Sequence, residues 1–137
     1  MNDPMTTITV YGTPAPQGSK RHVGRGIMIE SSKKVKPWRE AVVWAVREIR
    51  KCKKPISGPV LVSVSFYFQR PKSLPRRIVW HAKRPDLDKL VRSTFDGIVQ
   101  AGWILDDSQI YAFSAVKYYT SDQSHAQITV TEEATEA

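Results

Sequence analysis

One segment limits the possible folds more than any other, because its side chains alternate in character from residue 60 to residue 68. The apolar positions are Val60, Val62, Val64, Phe66 and Phe68. Successive side chains of a strand point to opposite faces, and β-branched and aromatic residues are enriched in strands. The segment therefore predicts a β-strand with one buried face. The rest of the chain has to supply neighbours for this strand and a cover for that face.

Two segments with helical periodicity are candidates for the cover. Residues 87–100 repeat apolar side chains at spacings of three and four, which is typical of an amphipathic helix. Pro37 suits the first turn of a helix, where its missing N–H costs nothing, and residues 38–51 follow with the same periodicity. In that helix Trp38 and Trp44 are predicted to be core residues rather than platforms for stacked bases.

Three further strands are predicted from alternation, at residues 7–11, 110–119 and 125–131. Residues 120–124 are polar and are typical of a hairpin connection between the last two strands. Residues 131–137 form an acidic tail that we expect to be frayed. The order β-α-β-α-β-β predicts an α+β fold, in which two helices pack on a mixed sheet, and a single domain over residues 1–137.

The chain is strongly basic, with a formal charge of +8 and a pI of about 9.8. Of its 21 Lys and Arg residues, 20 lie between Lys20 and Arg92. This balance favours a polyanionic partner such as nucleic acid over a merely soluble basic protein. A single cysteine excludes an internal disulfide, and no apolar segment reaches the length of a membrane span.

Two loops carry part of this charge. Residues 12–26 contain Pro, Gly and a basic run, and we expect a flexible loop that either follows a phosphate backbone or is simply solvated. Residues 70–84 carry several cations and prolines and are predicted to be a long connection with mobile parts.

Four carboxylates interrupt the basic region: Asp86 and Asp88 at the start of the second helix, and Asp106 and Asp107 before the third strand. If that strand pairs near the helix start, the two acidic pairs meet. Hard oxygen ligands suit Mg²⁺ or Mn²⁺, and nucleases use a bound divalent cation to activate the water that attacks a phosphodiester.

Each of these acids also has a structural interpretation. Asp86 is placed to cap the helix, and Asp88 is favoured in the first turn by the helix dipole. Asp106 and Asp107 are typical turn residues. Arg92, one turn after Asp88, could form surface ion pairs that contribute little. Composition alone leaves the structural and functional interpretations open.

The same segments resemble the signature of RusA-type Holliday junction resolvases, small and often phage-encoded endonucleases. The similarity is carried by the run from Arg84 to Arg92, then by Phe95-Asp96-Gly97 and Gly102, and finally by the run from Leu105 to Ile110. The predicted order of strand, Pro-rich loop, helix and strand around these motifs is also similar to that of the family.

The resemblance implies a homodimer with one metal-dependent active site per subunit, which nicks two symmetry-related strands of a four-way junction. By position, the essential acids are Asp86, Asp88 and Asp107, with Asp106 as an assisting neighbour. This sequence has Arg92 where the family usually has lysine, and Lys89 where it usually has asparagine. Arginine binds phosphate but does not titrate near neutral pH.

The sequence thus predicts a Mg²⁺-dependent endodeoxyribonuclease of DNA recombination and repair, with Mn²⁺ as a second candidate ion. Arg92 is predicted to bind the scissile phosphate. The predicted DNA-binding residues are Lys20, Arg21, Arg25, Lys83, Arg84 and Lys89. The partner would be branched DNA, not a membrane, in the cytoplasm of a bacterium or of a phage-infected host cell. The rival hypothesis is a non-catalytic binder of branched DNA or RNA.

Overall fold

The computed structural model describes residues 5–17, 20–22, 28–30, 33–51 and 53–134. The strands are β1 (Met5–Tyr11), β2 (Lys20–His22), β3 (Met28–Glu30), β4 (Val60–Gln69), β5 (Ile110–Thr120) and β6 (His125–Glu132). The helices are α1 (Val35–Arg50) and α2 (Leu87–Gln100), and a 3-10 turn spans Asp107–Gln109. The α+β class and the order β-α-β-α-β-β of the helices and main-sheet strands are confirmed.

Strand β4 is the centre of the hydrophobic core, as its alternation predicts. Its five inward side chains, from Val60 to Phe68, are buried, whereas the intervening ones are half-buried. The inward side chains share one core cluster with Trp38 and Val42 of α1 and with Leu90 of α2. Both helices therefore cover the same face of the sheet.

The main sheet has the strand order β1-β6-β4-β5. The predicted hairpin between β5 and β6 is wrong, because both strands pair with β4, β5 in parallel and β6 antiparallel. Residues 120–124 connect β5, on one side of β4, to β6 on its other side. Two strands separated by a third lie about 10 Å apart. Burial explains this choice: Ala126, Ile128 and Val130 are fully buried in β6, whereas β5 exposes Phe113 and lies at the sheet edge.

The predicted flexible basic loop is partly ordered. Lys20–His22 and Met28–Glu30 pair antiparallel as a separate two-stranded sheet. The irregular part of the prediction holds for residues 13–17, which have no regular structure. The peptide chain at Gly12 has a φ of +146°, a conformation that glycine adopts most readily.

Helix α1 begins at Val35, so that Pro37 lies in its first turn as predicted. Trp38 is buried, and its indole N–H donates a hydrogen bond to the Thr94 hydroxyl in α2. The prediction of a core position for Trp44 is wrong, since this side chain is 68% exposed. Trp44 lies six residues after Trp38, a spacing that puts two residues on different faces of a helix.

Helices α1 and α2 approach closely at Gly97. A Cβ atom at this position would lie 2.9 Å from the Val42 side chain. The absence of a side chain at Gly97 therefore sets the distance between the helices, and with it the position of α2 on the sheet. Neither helix in the described part of the chain is long and apolar enough to cross a membrane.

The connection from residue 70 to residue 86 is attached to the edge of β5 in its second half. The His81 N–H donates to the Lys117 carbonyl, and the Tyr119 N–H donates to the Val79 carbonyl. The Trp80 ring stacks on Tyr118 with 5.3 Å between ring centroids. These contacts hold residues 79–81 as a short extra edge and bring the chain to the start of α2.

Candidate active site

Two predicted acids lie at the start of α2. Asp86 occupies the N-cap position with an extended backbone, but its side chain makes no capping hydrogen bond. Its carboxylate is 55% exposed and lies 3.7 Å from the Lys89 ammonium group. Asp88 is exposed in the first turn. Because the Asp86 side chain is not used for capping, its carboxylate can bind a ligand in addition to pairing with Lys89. Both carboxylates also stabilise the positive end of the helix dipole.

A lysine that sequence reasoning missed binds the backbone just before the start of α2. The Lys117 ammonium group donates to the carbonyls of Lys83 at 2.6 Å and Pro85 at 2.7 Å. Burial lowers the pKa of Lys117, and the negative charge of Asp86 opposes that shift. The signal was in the sequence: Lys117 is the only cation after Arg92, and alternation puts it on the same face of β5 as Phe113.

The other two acids lie in the 3-10 turn before β5. The Asp106 side chain accepts a hydrogen bond from the Ser108 N–H, and hydrogen bonds from Ser108 lower the pKa of Asp106. Gln109 completes a capping box, accepting from the N–H groups of Leu105 and Asp106. Asp106 therefore has a structural role in the turn, whereas Asp107 is exposed to solvent.

The Gln109 side chain fixes this turn to the beginning of β4. Its amide nitrogen donates to the carbonyls of Ile56 at 2.8 Å and Gly58 at 2.9 Å. The next residue, Ile110, pairs with Val60 at the start of β4. Asp107 consequently lies at the end of the sheet where β4 and β5 begin.

Helix α2 and strand β5 run in opposite directions, and this separates the two acidic pairs. Lys117, near the end of β5, contacts Pro85 at the helix start, and Phe113 packs edge-on against Phe95 in the middle of the helix, at 5.3 Å between centroids. Seven residues of strand span about 23 Å. Asp107 is therefore on the order of 20 Å from Asp86, one whole helix length away.

The predicted convergence of the acids thus does not occur within one chain. Among the residues that the structure describes, no group of three His, Cys, Asp or Glu side chains is placed to hold a metal ion. Asp86 and Asp88 offer two carboxylates at one end of α2, and Asp107 offers a third at the other end. The residues of a single chain do not fit a three-carboxylate metal site.

Cations surround the Asp86 end. Lys83 and Arg84 are exposed on the approach to α2, and Lys89 is paired with Asp86. Lys20 and Arg21 lie in β2, and Arg25 lies outside the described residues. The structure therefore brings three of the six predicted DNA-binding residues together beside the two helix acids.

Arg92 is exposed on α2 one turn after Asp88. In the described part of the chain it forms an ion pair with neither Asp88 nor Asp96, so the predicted surface pairs are absent. The Asp96 carboxylate instead accepts a hydrogen bond from the Gln17 side chain. The Arg92 guanidinium is thus available to a phosphate.

His81 lies close to Lys117 and Lys83, near the start of α2. Its ring stacks on Phe68 at 4.3 Å and is tilted against Tyr119 at 4.8 Å between centroids. Burial lowers the pKa of His81, and the positive charges of Lys117 and Lys83 lower it further. The neutral imidazole is therefore the form that the fold favours.

Comparison with known proteins identifies the same family as the sequence motifs. The model of the family "Endodeoxyribonuclease RusA" matches residues 11–131. Crossover junction endodeoxyribonucleases from Enterobacteria phage 82, Escherichia coli K12 and Shigella sonnei Ss046 are each 36% identical to this protein over 50 residues.

The aligned segment is 36% of this chain and 42% of each relative, so the chain matches less than half the length of these curated proteins. The family model, in contrast, extends over both acidic pairs, both helices and the whole of β4 and β5. This protein belongs to the RusA family of endodeoxyribonucleases.

Proposed function

We propose that this protein is a Mg²⁺-dependent, structure-selective endodeoxyribonuclease that resolves four-way DNA junctions by paired nicks. The observation that carries the proposal is the cluster of charged side chains at the start of α2. There the exposed carboxylates of Asp86 and Asp88 lie among Lys83, Arg84 and Lys89. Cations attract and position the phosphate backbone, and carboxylates supply hard oxygen ligands for a divalent cation.

The proposed roles follow from charge and position. Asp86 and Asp88 would hold Mg²⁺ or Mn²⁺, and the ion would supply Lewis-acid chemistry at the phosphate. Asp107, with Asp106 beside it, stays a predicted ligand that the described part of a single chain does not bring to the same ion. Arg92 would bind the scissile phosphate and stabilise the charge that develops on it.

Paired nicks at symmetry-related positions require two active sites related by a two-fold axis, so the proposed enzyme is a homodimer. Its substrate would be branched DNA formed in recombination and repair. Such an enzyme would act in the cytoplasm of a bacterium or of a phage-infected host cell.

The test is cleavage of a labelled four-way junction in Mg²⁺, with EDTA and a linear duplex of the same sequence as controls. We expect nicking of the junction in Mg²⁺ alone. Asp86→Asn and Asp88→Asn should reduce nicking by about a hundredfold or more. Both variants should retain junction binding, because removing negative charge does not weaken attraction to phosphate.

Asp122→Asn is the matched control, since Asp122 is exposed in the β5–β6 connection. We expect it to nick at the wild-type rate. Near-normal nicking by both Asp86→Asn and Asp88→Asn would contradict the assignment of these acids. Tight junction binding by the wild-type protein without any nicking would instead favour the non-catalytic binder.

A further inference from the structure

The face of the main sheet that neither helix covers carries a row of aromatic rings. The row has one ring from each strand, in strand order, and a last one from the short extra edge: Tyr11, His125, Tyr67, Tyr118 and Trp80. Each residue is directly opposed to the next in the strand register. Side chains alternate along a strand, so Tyr67, between the buried Phe66 and Phe68, points away from the helices.

The rings of this row contact one another. Successive ring centroids from Tyr11 to Trp80 are 5.8, 4.5, 5.2 and 5.3 Å apart. The last three pairs lie within 11°, 21° and 30° of parallel, so the four rings from His125 to Trp80 form one stack. Aromatic cross-strand pairs stabilise a sheet, which accounts for the half-buried Tyr67 and Tyr118. It does not account for Trp80, which ends the stack and is 63% exposed.

The indole of Trp80 has room for one more ring. Within the described residues, Tyr118 is the only aromatic side chain stacked on it, and most of the Trp80 surface is open to solvent. A flat aromatic group on the open side of Trp80 would extend the stack and remove apolar surface from water. A nucleic acid base is such a group, because every base has a π-face that stacks on aromatic side chains.

The charge around Trp80 favours nucleic acid over another apolar partner. Residues 70–85 contain six cations and no acid. The four that are nearest to Trp80 in the sequence are exposed, two before it and two after it: Arg76, Arg77, Lys83 and Arg84. A stacking ring beside a positively charged surface is typical of proteins that bind single strands, because the cations hold the backbone while the ring holds a base.

We propose that Trp80 stacks on a base that has lost a stacking neighbour, in a DNA strand whose backbone lies along the cations around Trp80. The inference rests on the proposed function for DNA as the partner, and adds how its shape is recognised. Every internal base of a duplex is stacked on both faces, and taking one out of the stack costs free energy. At a branch point a strand leaves one stack for another, so a base with an open face is available. Trp80 therefore favours branched or single-stranded DNA over duplex.

One strand can reach both Trp80 and the acids at the start of α2. Six residues separate Trp80 from Asp86, which limits their distance to about 22 Å. Both ends of this connection are held by Lys117, whose carbonyl accepts from the His81 N–H and whose ammonium group donates to the Pro85 carbonyl. A strand that crosses this edge of the sheet can thus place a phosphate at the acids and a base on Trp80.

Tryptophan emission tests the stacking directly, because a base stacked on an indole ring quenches its fluorescence. Of the four tryptophans, Trp38 and Trp103 are buried, whereas Trp44 and Trp80 are exposed. In a Trp44→Phe background, a single-stranded thymidine oligonucleotide added in EDTA should quench the emission, and Trp80→Phe should remove this quenching. Binding of the labelled oligonucleotide without quenching would overturn the proposal, as would quenching that persists in Trp80→Phe.

Affinities measured by fluorescence anisotropy test the selectivity. Trp80→Ala should weaken binding of the oligonucleotide and of a four-way junction by about tenfold, the loss expected for one stacked base, and binding of a linear duplex by less than about twofold. Trp80→Phe keeps a ring and should recover most of the loss. Trp44→Ala is the matched control, since Trp44 is 68% exposed on α1, and it should change none of these affinities. Equal weakening for junction and duplex would contradict the selectivity.

Further outcomes separate this inference from other accounts. If Trp80 instead contacts a second copy of the chain, Trp80→Ala should change the mass measured by light scattering and leave the affinity for the oligonucleotide unchanged, which would overturn the proposal. Quenching in a protein that never nicks a junction would support the stacking and count against the proposed function. Normal nicking without quenching would count against the stacking alone.

Discussion

At the scale of single residues, Arg92 offers the sharpest test of the site. It is exposed, unpaired with Asp88 and Asp96, and one helical turn from Asp88. If it binds the scissile phosphate, Arg92→Ala should fold normally but nick about a hundredfold more slowly, the usual effect of removing one charge-stabilising contact. Single-turnover nicking of a junction at saturating Mg²⁺ measures this.

Two controls accompany the Arg92 variant. Arg92→Lys keeps the charge and should retain substantial nicking despite the loss of the planar guanidinium. Arg47→Ala removes an exposed arginine from α1 and should leave the rate unchanged. Wild-type nicking by Arg92→Ala would remove Arg92 from the mechanism.

His81 gives a prediction on pH dependence. Burial and the nearby Lys117 and Lys83 lower the pKa of His81 in the folded state below its ordinary value of 6.5. The unfolded chain therefore binds the proton more readily, and the free energy of unfolding should fall as pH drops from above 6.5 through the folded-state pKa. Urea unfolding at pH 8 and at pH 5 should show a larger fall in the wild-type protein than in His81→Phe. Equal falls would contradict this.

Single residues also show which features of the site can be predicted from a sequence pattern. Asp86 and Asp88 were predicted together because their spacing and their place at a helix start are local properties. Lys117 was missed because its contact with Pro85 depends on how β5 packs against the start of α2. The same non-local geometry decides where Asp107 lies, which no spacing in the sequence reveals.

At the scale of elements, the 3-10 turn before β5 depends on one side chain. Gln109 makes hydrogen bonds with four backbone groups, of Leu105, Asp106, Ile56 and Gly58. At about 0.5 kcal/mol per net hydrogen bond, the low end expected for an exposed turn, the loss of four bonds in Gln109→Ala should lower the free energy of unfolding by about 2 kcal/mol. Denaturant unfolding measures the change.

Gln123→Ala is the matched control, because Gln123 is exposed in the β5–β6 connection. Its effect should stay within about 0.5 kcal/mol. Equal stability of the two variants would show that the Gln109 contacts do not hold the turn.

The elements themselves were largely predictable, but the pairing of the strands was not. The alternation in β4 and the periodicity of α2 are local, and both elements were found where they were predicted. The predicted β5–β6 hairpin was wrong. A short polar connection allows the two strands that it joins to pair with each other, but it equally allows them to pair with opposite sides of a third strand. The burial of β6 against β1 and β4 decides between these, and it is a property of the whole sheet.

At the scale of the whole molecule, the charge of +8 predicts strong salt dependence of DNA binding. The logarithm of the binding constant should fall with the logarithm of salt concentration by about 0.9 per phosphate contact. If Lys83 and Arg84 both contact phosphates, replacing both by Gln should make the slope less steep by about 1.8. Fluorescence anisotropy with a labelled junction measures the slope.

The control for this series replaces Lys36 and Arg47, two exposed cations of α1, by Gln. It removes the same charge at a distance from the acids and should change the slope less. An unchanged slope on replacing Lys83 and Arg84 would mean that both cations face solvent in the complex.

The central claim is that this protein cuts a four-way junction by paired nicks, and a supercoiled plasmid with an extruded cruciform tests it most directly. Paired nicks across the cruciform yield linear DNA, whereas a single nick yields an open circle. We predict linear product in Mg²⁺ with the wild-type protein, and none with EDTA or with Asp86→Asn. A plasmid that stays supercoiled in Mg²⁺, under conditions where the protein binds a four-way junction, would contradict the account.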